Sequence, residues 1–409
     1  MKTEFRYRAL TIIVFCAYII LGSFSGDFTQ SPKSTEGFPY HRILMLLTAF
    51  IFLFNPQQVL IACKKNKILI TLLLYLLLTA LWANSPLETV KTFIFLSSAF
   101  IISILSALAF SENKVVLIRW LFWLFLLLTL ASIITALFFP SIGVKIGEEG
   151  DARWVGITQH ANALGELSLL LIWLSSNLFF LAKSNIEKLI ILFAISAAFY
   201  SILKADSMTS FITAIVISSY VCYYYLFWRL SPSIKLVFYI IAALSFLITI
   251  TFYMSASELA DTTLASAGRN TTFTGRSTQW KIALTEAVDH LVFGLGFDDL
   301  GQLTKKYHVR MNMLHNGYIE NLVKGGLVAS MLLTFLLVKT FFHQLRIKST
   351  YKHDFIFLNT GLIMLLLHNI TESSILRGLS PLSIFIIFII VLTSIIPITN
   401  KDKSLATAQ

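Results

Sequence analysis

Charged residues and cysteines are both scarce in this sequence. Only 13% of the 409 residues are charged, whereas 56% are apolar. A soluble protein of this length usually has roughly 25% charged and about 45–50% apolar residues. The composition therefore excludes an ordinary soluble protein and indicates a membrane protein with several spans. The sequence also contains no internal repeat, no low-complexity tract and no stretch with the composition of a separate soluble domain.

The three cysteines, Cys16, Cys63 and Cys222, lie within or beside apolar runs. They predict neither a disulfide framework nor a cysteine metal site. The histidines lack the spacing of a metal motif such as H-E-x-x-H, so no metal site is predicted from them either. The first apolar run is not followed by a clear small-residue cleavage site, and we expect it to remain as the first span.

Apolar runs of membrane-spanning length recur along the whole chain. A bilayer core about 30 Å thick needs roughly 20 apolar residues per helix. On this criterion the sequence predicts an all-α polytopic membrane protein with about twelve transmembrane helices. The predicted spans lie near residues 9–24, 43–62, 68–84, 92–110, 115–139, 162–182, 188–204, 208–228, 234–254, 325–345, 354–369 and 380–398.

The basic residues that give the formal charge of +11 are distributed as this topology predicts. With the N-terminus in the cytoplasm, more than half of the 32 Lys and Arg residues lie in the cytoplasmic segments. The short outer connections hold far fewer, as the positive-inside rule requires. We therefore expect an even number of spans with both termini in the cytoplasm, and we do not expect nucleic acid as a partner.

One long segment, residues 255–324, is neither a span nor a short connector. It divides the chain into spans one to nine in residues 1–254 and spans ten to twelve with a cytoplasmic tail in residues 325–409. The topology predicts that this segment is a periplasmic loop. Within it, Arg276 to Val292 has the apolar spacing of an amphipathic helix. Long loops inside compact proteins are often functional, so we expect the chemistry here.

A site on the outer face has no ATP to draw on, so its substrate must arrive already activated. Lipid-linked diphosphate sugars are the usual form of such a substrate. Their transfer requires cations for the diphosphate, a base for the acceptor hydroxyl and polar groups for the sugars. Arginine suits the first task, because its planar guanidinium donates paired hydrogen bonds to phosphate. Histidine suits the second, because its unperturbed pKa of about 6.5 lies near working pH.

His315 is the predicted base, because it directly precedes the helix of the tenth span. The alternative is a surface histidine that caps this helix. Arg276 begins the amphipathic helix, where free N–H groups and the helix dipole also favour an anion; the alternative is a solvated arginine. Arg153 lies in another outer loop, where interface anchoring by Trp154 is the alternative. Arg269 is a weaker candidate for diphosphate binding.

The predicted acceptor- and sugar-binding residues lie near the end of the loop or at the end of the eleventh span. Polar groups at the end of that span could orient an acceptor or tune a histidine. The alternative for this segment is a capped helix end. These candidates are Asn316, Tyr318, Asn369 and Glu372.

Taken together, these residues resemble the O-antigen ligase and polymerase family of bacterial membrane glycosyltransferases. The twelve-span layout with one long outer loop late in the chain is also similar to that family, so the resemblance covers most of the sequence. The short motifs that carry it are Gly275-Arg276 followed by Trp280, His315-Asn316 followed by Gly326, and Arg153 with Gly156 and Asn162.

The resemblance implies a GT-C-like fold and the reaction that completes lipopolysaccharide. In that reaction a glycan moves from undecaprenyl diphosphate to the lipid A–core oligosaccharide, with inversion, at the periplasmic face of the inner membrane. By resemblance, Arg153 and Arg276 bind the diphosphate and His315 deprotonates or orients the acceptor hydroxyl. No metal or nucleotide cofactor is expected, and the implied partners are the two glycolipids and the membrane lipids.

Two alternative functions remain open from the sequence. An O-antigen polymerase of the same family would use a second lipid-linked glycan as acceptor, and the sequence separates it poorly from the ligase. A lipid-linked glycan transporter belongs to another class and would place charged groups near the middle of the bilayer. The polar candidates gather instead at the outer edge, which favours an enzyme.

Overall fold

The computed structural model describes residues 2–24, 39–54, 56–110, 113–146, 152–158, 160–227, 276–297, 300–309, 311, 313–347, 352–377 and 380–406. Most of these residues are helical. The helices of the first half are α1 (Lys2–Phe24), α2 (Pro39–Phe52), α3 (Pro56–Lys65), α4 (Lys67–Leu78), α5 (Pro86–Ala109), α6 (Lys114–Phe138), α7 (Pro140–Gly143) and α8 (Ala161–Phe179). Those of the second half are α9 (Asn185–Lys204), α10 (Met208–Cys222), α11 (Arg276–Asp289), α12 (Gly301–Tyr307), α13 (Gly317–Ile347), α14 (Lys352–Thr371) and α15 (Pro381–Ala406).

Four shorter elements complete the description. A 3₁₀ turn (Thr79–Leu81) extends α4, and a π-helical turn (Tyr223–Phe227) extends α10. Strands β1 (Val144–Ile146) and β2 (Ala152–Trp154) form an antiparallel hairpin in which Lys145 pairs with Arg153.

Six of the described helices are long and apolar enough to cross a membrane, and a seventh span arises if α2 and α3 count as one. The six are α5, α6, α9, α10 with its π-helical turn, α13 and α14. This confirms an α-helical membrane protein. The predicted ninth span, 234–254, lies outside the described residues, and the number of twelve spans stays a prediction.

The predicted second span, 43–62, differs from the observed structure. It consists of α2 and α3, whose axes are bent by 103°. Pro56 starts α3, and a proline fits the first turn of a helix but not its interior. Pro56 therefore indicates this break in the sequence, whereas hydropathy alone does not reveal it.

The centre of the bundle is α15. From Leu382 to Leu392 its described side chains are all buried, as expected for a helix that is apolar on every face. Aromatic residues pack around it: Trp173 of α8 stacks on Phe357 of α14 with ring centroids 4.4 Å apart, and Phe385 of α15 meets the Trp173 ring edge-on. This core holds α8 and α14 together along their length.

The helix ends form two polar layers, one at each end of the bundle. At the end we call the basic end, Lys114 at the start of α6 pairs with Asp354 at the start of α14. Arg119 also pairs there with Glu187 at the start of α9. The opposite end, which we call the site end, holds the start of α8, the start of α13 and the end of α14.

Helices α11 and α12 lie at the site end and share a small apolar core, and we call them the α11–α12 unit. The periodicity predicts a helix from Arg276 to Val292, and the observed helix ends slightly earlier, at Asp289. It buries Ala283 and Ala287 against residues of α12 and the following loop. The apolar face of this amphipathic helix therefore packs inside the α11–α12 unit.

Helix α13 is interrupted at Gly326, which has φ 64° and ψ −164°. Residues 291–296, which we call the strap, pair with the backbone on both sides of this interruption. A Cβ at position 326 would lie 2.3 Å from the carbonyl oxygen of Val292, so only glycine fits. The N–H groups of Leu327 and Val328 donate to Leu291 and Val292, and those of Leu295 and Gly296 donate to Val323 and Lys324.

The strap also contacts the end of α4. The hydroxyl of Tyr75 lies 2.9 Å from the carbonyl oxygen of Gly325 and 3.1 Å from that of Phe293. Just after the strap, the backbone N–H of Phe297 donates to the hydroxyl of Thr79. These contacts fix the segment that follows α11 to the bundle.

Candidate active site

Four elements of the site end meet at one carboxylate, that of Glu372. This residue directly follows α14 and is only 6% exposed. Its Oε1 accepts hydrogen bonds from Asn162 Nδ2 of α8 (2.8 Å) and from Arg276 Nη2 of α11 (3.2 Å). Its Oε2 lies 3.0 Å from Nδ1 of His315. The predicted base and one predicted diphosphate ligand therefore share a single buried anion.

The hydrogen bond to Glu372 determines the tautomer of His315. An ionised carboxylate only accepts hydrogen bonds, so Nδ1 of the imidazole must carry the hydrogen. In the neutral ring Nε2 is then the acceptor. The His315 side chain is 22% exposed, so the ring is held by Glu372 through Nδ1 and stays partly exposed. This is the arrangement a general base requires.

The backbone around His315 is locally strained and tightly held. His315 has φ 50°, a left-handed conformation in which histidine is several-fold enriched among non-glycine residues. On one side Leu314 is buried. On the other, Asn316 Oδ1 accepts hydrogen bonds from the N–H groups of Tyr318 and Ile319 and so caps α13. Helix α13 therefore begins at Gly317, directly after Asn316 and ahead of the predicted span 325–345.

Gly317 and Asn369 join the start of α13 to the end of α14. The Gly317 N–H donates to the carbonyl oxygen of Glu372, and a Cβ on Gly317 would lie 2.3 Å from Asn369 Oδ1. The Asn369 amide accepts from the N–H groups of Ser374 and Ile375 and donates to the Leu365 carbonyl and the Ser374 hydroxyl. Its hydrogen-bonding capacity is thereby used within the loop. This favours a structural role for Asn369 over the predicted sugar-binding role.

Arg276 is the first residue of α11, as predicted. Its Nη1 donates to the carbonyl oxygen of Thr371 at 2.8 Å, and its side chain is 20% exposed. One turn along the helix, the indole N–H of Trp280 donates to the carbonyl oxygen of Leu314. Because Leu314 directly precedes His315, this bond holds α11 against the segment that carries the base.

Arg153 reaches the site through Asn162. Its guanidinium donates to the carbonyl oxygens of Ala205 and Asp206 and, at 3.3 Å, to Asn162 Oδ1. The Asn162 amide then donates to Glu372. Arg153 therefore belongs to the same hydrogen-bond network as Arg276. Asn162, in the first turn of α8, belongs to the same short motif as Arg153, and its bridge to Glu372 depends on the packing of α8 against α14.

Burial by itself would raise the pKa of Glu372. The hydrogen bond from His315 and the charges of His315 and Arg276 outweigh that effect and lower the pKa to about 2. The carboxylate is therefore ionised at any pH at which the protein is expected to work. It stabilises positive charge on both neighbours.

The remaining predicted residues lie around this network or outside the described part of the chain. Tyr318 is 37% exposed, and its hydroxyl donates to the carbonyl oxygen of Leu366. The Asn316 side chain donates to the carbonyl oxygen of Ile370. Arg269 lies outside the described residues. Among those the structure describes, no group of three His, Cys, Asp or Glu side chains could hold a metal ion.

Comparison with known proteins adds an independent finding. A family model described as "O-Antigen ligase" matches residues 191–334. That range contains Arg276, His315 and the interrupted part of α13, and it ends before Glu372. Among curated proteins, none matches the chain. The match to the family model agrees with the resemblance seen in the sequence, and it supports a relationship to the O-antigen ligase and polymerase family over residues 191–334.

Proposed function

We propose that this protein is an O-antigen ligase of the bacterial inner membrane. It transfers a glycan from undecaprenyl diphosphate to the lipid A–core oligosaccharide at the periplasmic face, with inversion at the anomeric carbon. The observation that carries the proposal is the contact of His315 and Arg276 with one carboxylate, Glu372, at one end of an apolar helical bundle.

Two arginines hold the leaving group in this proposal. Arg276 and Arg153 bind the diphosphate of the donor and stabilise the negative charge that grows on it as the glycosidic bond breaks. Both guanidinium groups are partly exposed, and both are fixed by backbone carbonyl oxygens. Such fixed donors lose little freedom when an anion binds. Arg269 is proposed as a further diphosphate ligand.

His315 prepares the acceptor. Its Nε2 takes the proton of an acceptor hydroxyl, and that oxygen forms a bond to the anomeric carbon of the donor sugar. The bond from this carbon to the diphosphate oxygen breaks, and its electron pair leaves on undecaprenyl diphosphate. Glu372 stabilises the imidazolium that results and keeps the ring in place. Asn316 and Tyr318 flank the base and contact the acceptor sugars.

The topology of the chain in the membrane is part of the proposal. Twelve helices cross the inner membrane, the basic end faces the cytoplasm and the site end faces the periplasm. Residues 1–254 contribute nine spans, residues 255–324 the periplasmic loop, and residues 325–409 three spans and the cytoplasmic tail. The positive-inside distribution of Lys and Arg supports this orientation. Neither a metal nor a nucleotide takes part in the proposed reaction.

Deletion of the gene from its host distinguishes the ligase from its nearest alternative. A ligase mutant lacks all long-chain lipopolysaccharide and accumulates lipid-linked polymer. Cells that still attach a single repeat unit to lipid A–core would instead indicate the polymerase. Complementation with wild type should restore the ladder of chain lengths, and so should the surface variant Lys305→Ala. His315→Ala protein, present in the membrane at the wild-type level, should not. A normal ladder from His315→Ala would refute the assigned role of the histidine.

A further inference from the structure

A negative charge lies inside the site proposed to bind a diphosphate. Glu372 Oε1 is 3.2 Å from Arg276 Nη2, so the carboxylate occupies a donor that the proposed reaction needs for phosphate. A carboxylate this close would also repel the bound diphosphate, since like charges a few Å apart in a partly buried site interact strongly. A site built only for anion binding would not contain it.

We propose that Glu372 is a positioning residue and that donor binding causes an exchange of partners. In this exchange the Arg276 guanidinium leaves the Glu372 carboxylate and pairs with the donor diphosphate, so that the carboxylate is left to His315. This inference rests on the proposed function and adds an order of events to it. Before the donor binds, Arg276 and His315 share one counter-ion. Afterwards Arg276 pairs with phosphate, and the negative charge of Glu372 is balanced fully only when His315 takes a proton. The carboxylate therefore serves His315 alone when a donor is in place.

The hydrogen bonds of Glu372 make this exchange possible. Asn162 Nδ2 donates to the same Oε1 at 2.8 Å, which is closer than Arg276 at 3.2 Å. When Arg276 turns away, Oε1 keeps Asn162 and Oε2 keeps His315. No buried acceptor is left unsatisfied, so the exchange carries no desolvation penalty at Oε1.

Arg276 is also attached so that it can turn without leaving. Its Nη1 donates to the backbone carbonyl of Thr371 at 2.8 Å, a contact that does not depend on Glu372. A guanidinium has five N–H donors in a planar fork, and only two donor nitrogens of Arg276 take part in these bonds. The remaining donors and the exposed part of the side chain are available to a phosphate.

The test compares binding with transfer in purified full-length protein. Undecaprenyl diphosphate is the binding probe, and glycan transfer at saturating donor is the second readout. Glu372→Gln keeps the shape of the side chain and removes its charge. We expect it to bind undecaprenyl diphosphate about tenfold more tightly, because Arg276 no longer has a competing anion. Transfer should fall about 100-fold or more, because the base loses its counter-ion.

A matched control removes a carboxylate from the same end of the bundle without touching the site. Glu88 is exposed near the start of α5 and pairs with Lys91 three residues later. Glu88→Gln changes the net charge by the same amount, and we expect both readouts to stay within about twofold of wild type, as is usual for exposed pairs. A tighter-binding Glu88→Gln would show that overall charge, and not Arg276, sets the affinity, and would overturn the proposal.

Glu372 also joins α8, α11 and α13, so a purely structural role must be distinguished. If Glu372→Gln weakens undecaprenyl diphosphate binding along with transfer, or leaves binding unchanged, the exchange does not occur. If this variant does not fold, Asn162→Ala decides. The exchange would then leave Oε1 unsatisfied, and we expect about tenfold weaker binding. Unchanged or tighter binding by Asn162→Ala would refute the proposal.

The outcomes also separate this inference from the proposed function. Wild-type protein that binds undecaprenyl diphosphate but transfers no glycan to lipid A–core would contradict the function and leave the exchange to be judged by binding alone. Active wild-type protein whose Glu372→Gln variant lacks the opposite shifts in binding and transfer would contradict the exchange and leave the function standing.

Discussion

Two buried carboxylates at the same end of the bundle show what distinguishes a structural ion pair from a functional one. Glu286 of α11 accepts hydrogen bonds from Lys306 and Tyr307, which are 20 and 21 residues away in the sequence. Glu372 contacts His315, Arg276 and Asn162, which are 57, 96 and 210 residues away. Glu286 holds one small unit together, whereas Glu372 gathers distant elements.

The direction of the pKa shift does not distinguish Glu286 from Glu372, since the pKa of both carboxyl groups is lowered. Burial opposes this shift in each case. Hydrogen bonds from Lys306 and Tyr307 outweigh it at Glu286, and the hydrogen bond and charges of its neighbours outweigh it at Glu372. The difference lies in the partners. The Lys306 side chain is 55% exposed, whereas the His315 and Arg276 side chains are 22% and 20% exposed. Arg276 is also held by the Thr371 carbonyl oxygen. A fixed, partly exposed cation beside a buried anion is the feature that indicates a site.

The largest expected effect distinguishes the two histidines beside these carboxylates. His315→Ala should reduce the initial rate of glycan transfer by about 100-fold to 10,000-fold, because the acceptor loses its base. His290 of α11 lies 4.0 Å from Glu286 and is half exposed. His290→Ala should leave the rate within about twofold, as expected for a surface change. Equal losses of transfer rate in His315→Ala and His290→Ala would show that Glu372 is no more functional than Glu286.

The next effect distinguishes the two cations. Arg276→Lys should weaken undecaprenyl diphosphate binding about tenfold, because a single ammonium cannot donate to Thr371 and a phosphate in the fixed geometry of a guanidinium. Lys306→Arg keeps a charge beside Glu286 on an exposed side chain and should leave binding unchanged. Binding isotherms of both purified variants provide the measurement. Wild-type affinity in Arg276→Lys would show that only charge matters at this position.

A smaller effect concerns stability. Glu286→Gln removes charge-assisted hydrogen bonds to Lys306 and should lower the free energy of unfolding by about 1 kcal/mol. Transfer per folded molecule should not change, because Glu286 has no contact with the site network among the bonds described above. Thermal unfolding of purified protein tests the first expectation, and rates measured below the transition test the second. A loss of transfer with no loss of stability would place Glu286 in the reaction.

The smallest expected effect concerns ionisation: the Glu372 carboxylate should stay ionised between pH 7 and pH 5. A lowered pKa means that the ionised form stabilises the fold above the ordinary value of 4.5, and that this contribution is lost as the pH falls toward the native pKa. For Glu372 that window lies between pH 4.5 and about 2. The difference in carboxylate absorption between the infrared spectra of wild type and Glu372→Gln should therefore be constant from pH 7 to pH 5. A difference that shrinks over this range would mean that the carboxylate is protonated there.

Much of the candidate site could be predicted from the sequence, because local patterns carry it. The periodicity after Arg276 predicts α11, and Asn316 is a capping residue directly after His315. Residue type then indicates a base and an anion ligand at the start of two helices. These signals lie within a few positions of each residue, which is the range over which helix caps and periodicity act.

Other features depend on contacts that leave no local pattern. The pairing of the strap with the interrupted α13 joins residues about 30 positions apart through backbone groups, whatever the side chains. Asn162 bridges Arg153 and Glu372 only because α8 and α14 pack together around Trp173. The amide of Asn369 is likewise used by the loop that follows α14, a contact that the local sequence does not predict. Tertiary packing determines each of these.

The central claim is that His315 activates an acceptor for a sugar held on a lipid diphosphate. The most direct measurement follows both products made by purified wild-type and His315→Ala protein from undecaprenyl-diphosphate-linked glycan and lipid A–core, with EDTA and without nucleotide. The account predicts that wild type releases one undecaprenyl diphosphate for each glycan attached to lipid A–core, and that His315→Ala forms neither product at a comparable rate. Glycan attachment by His315→Ala at the wild-type rate would contradict it.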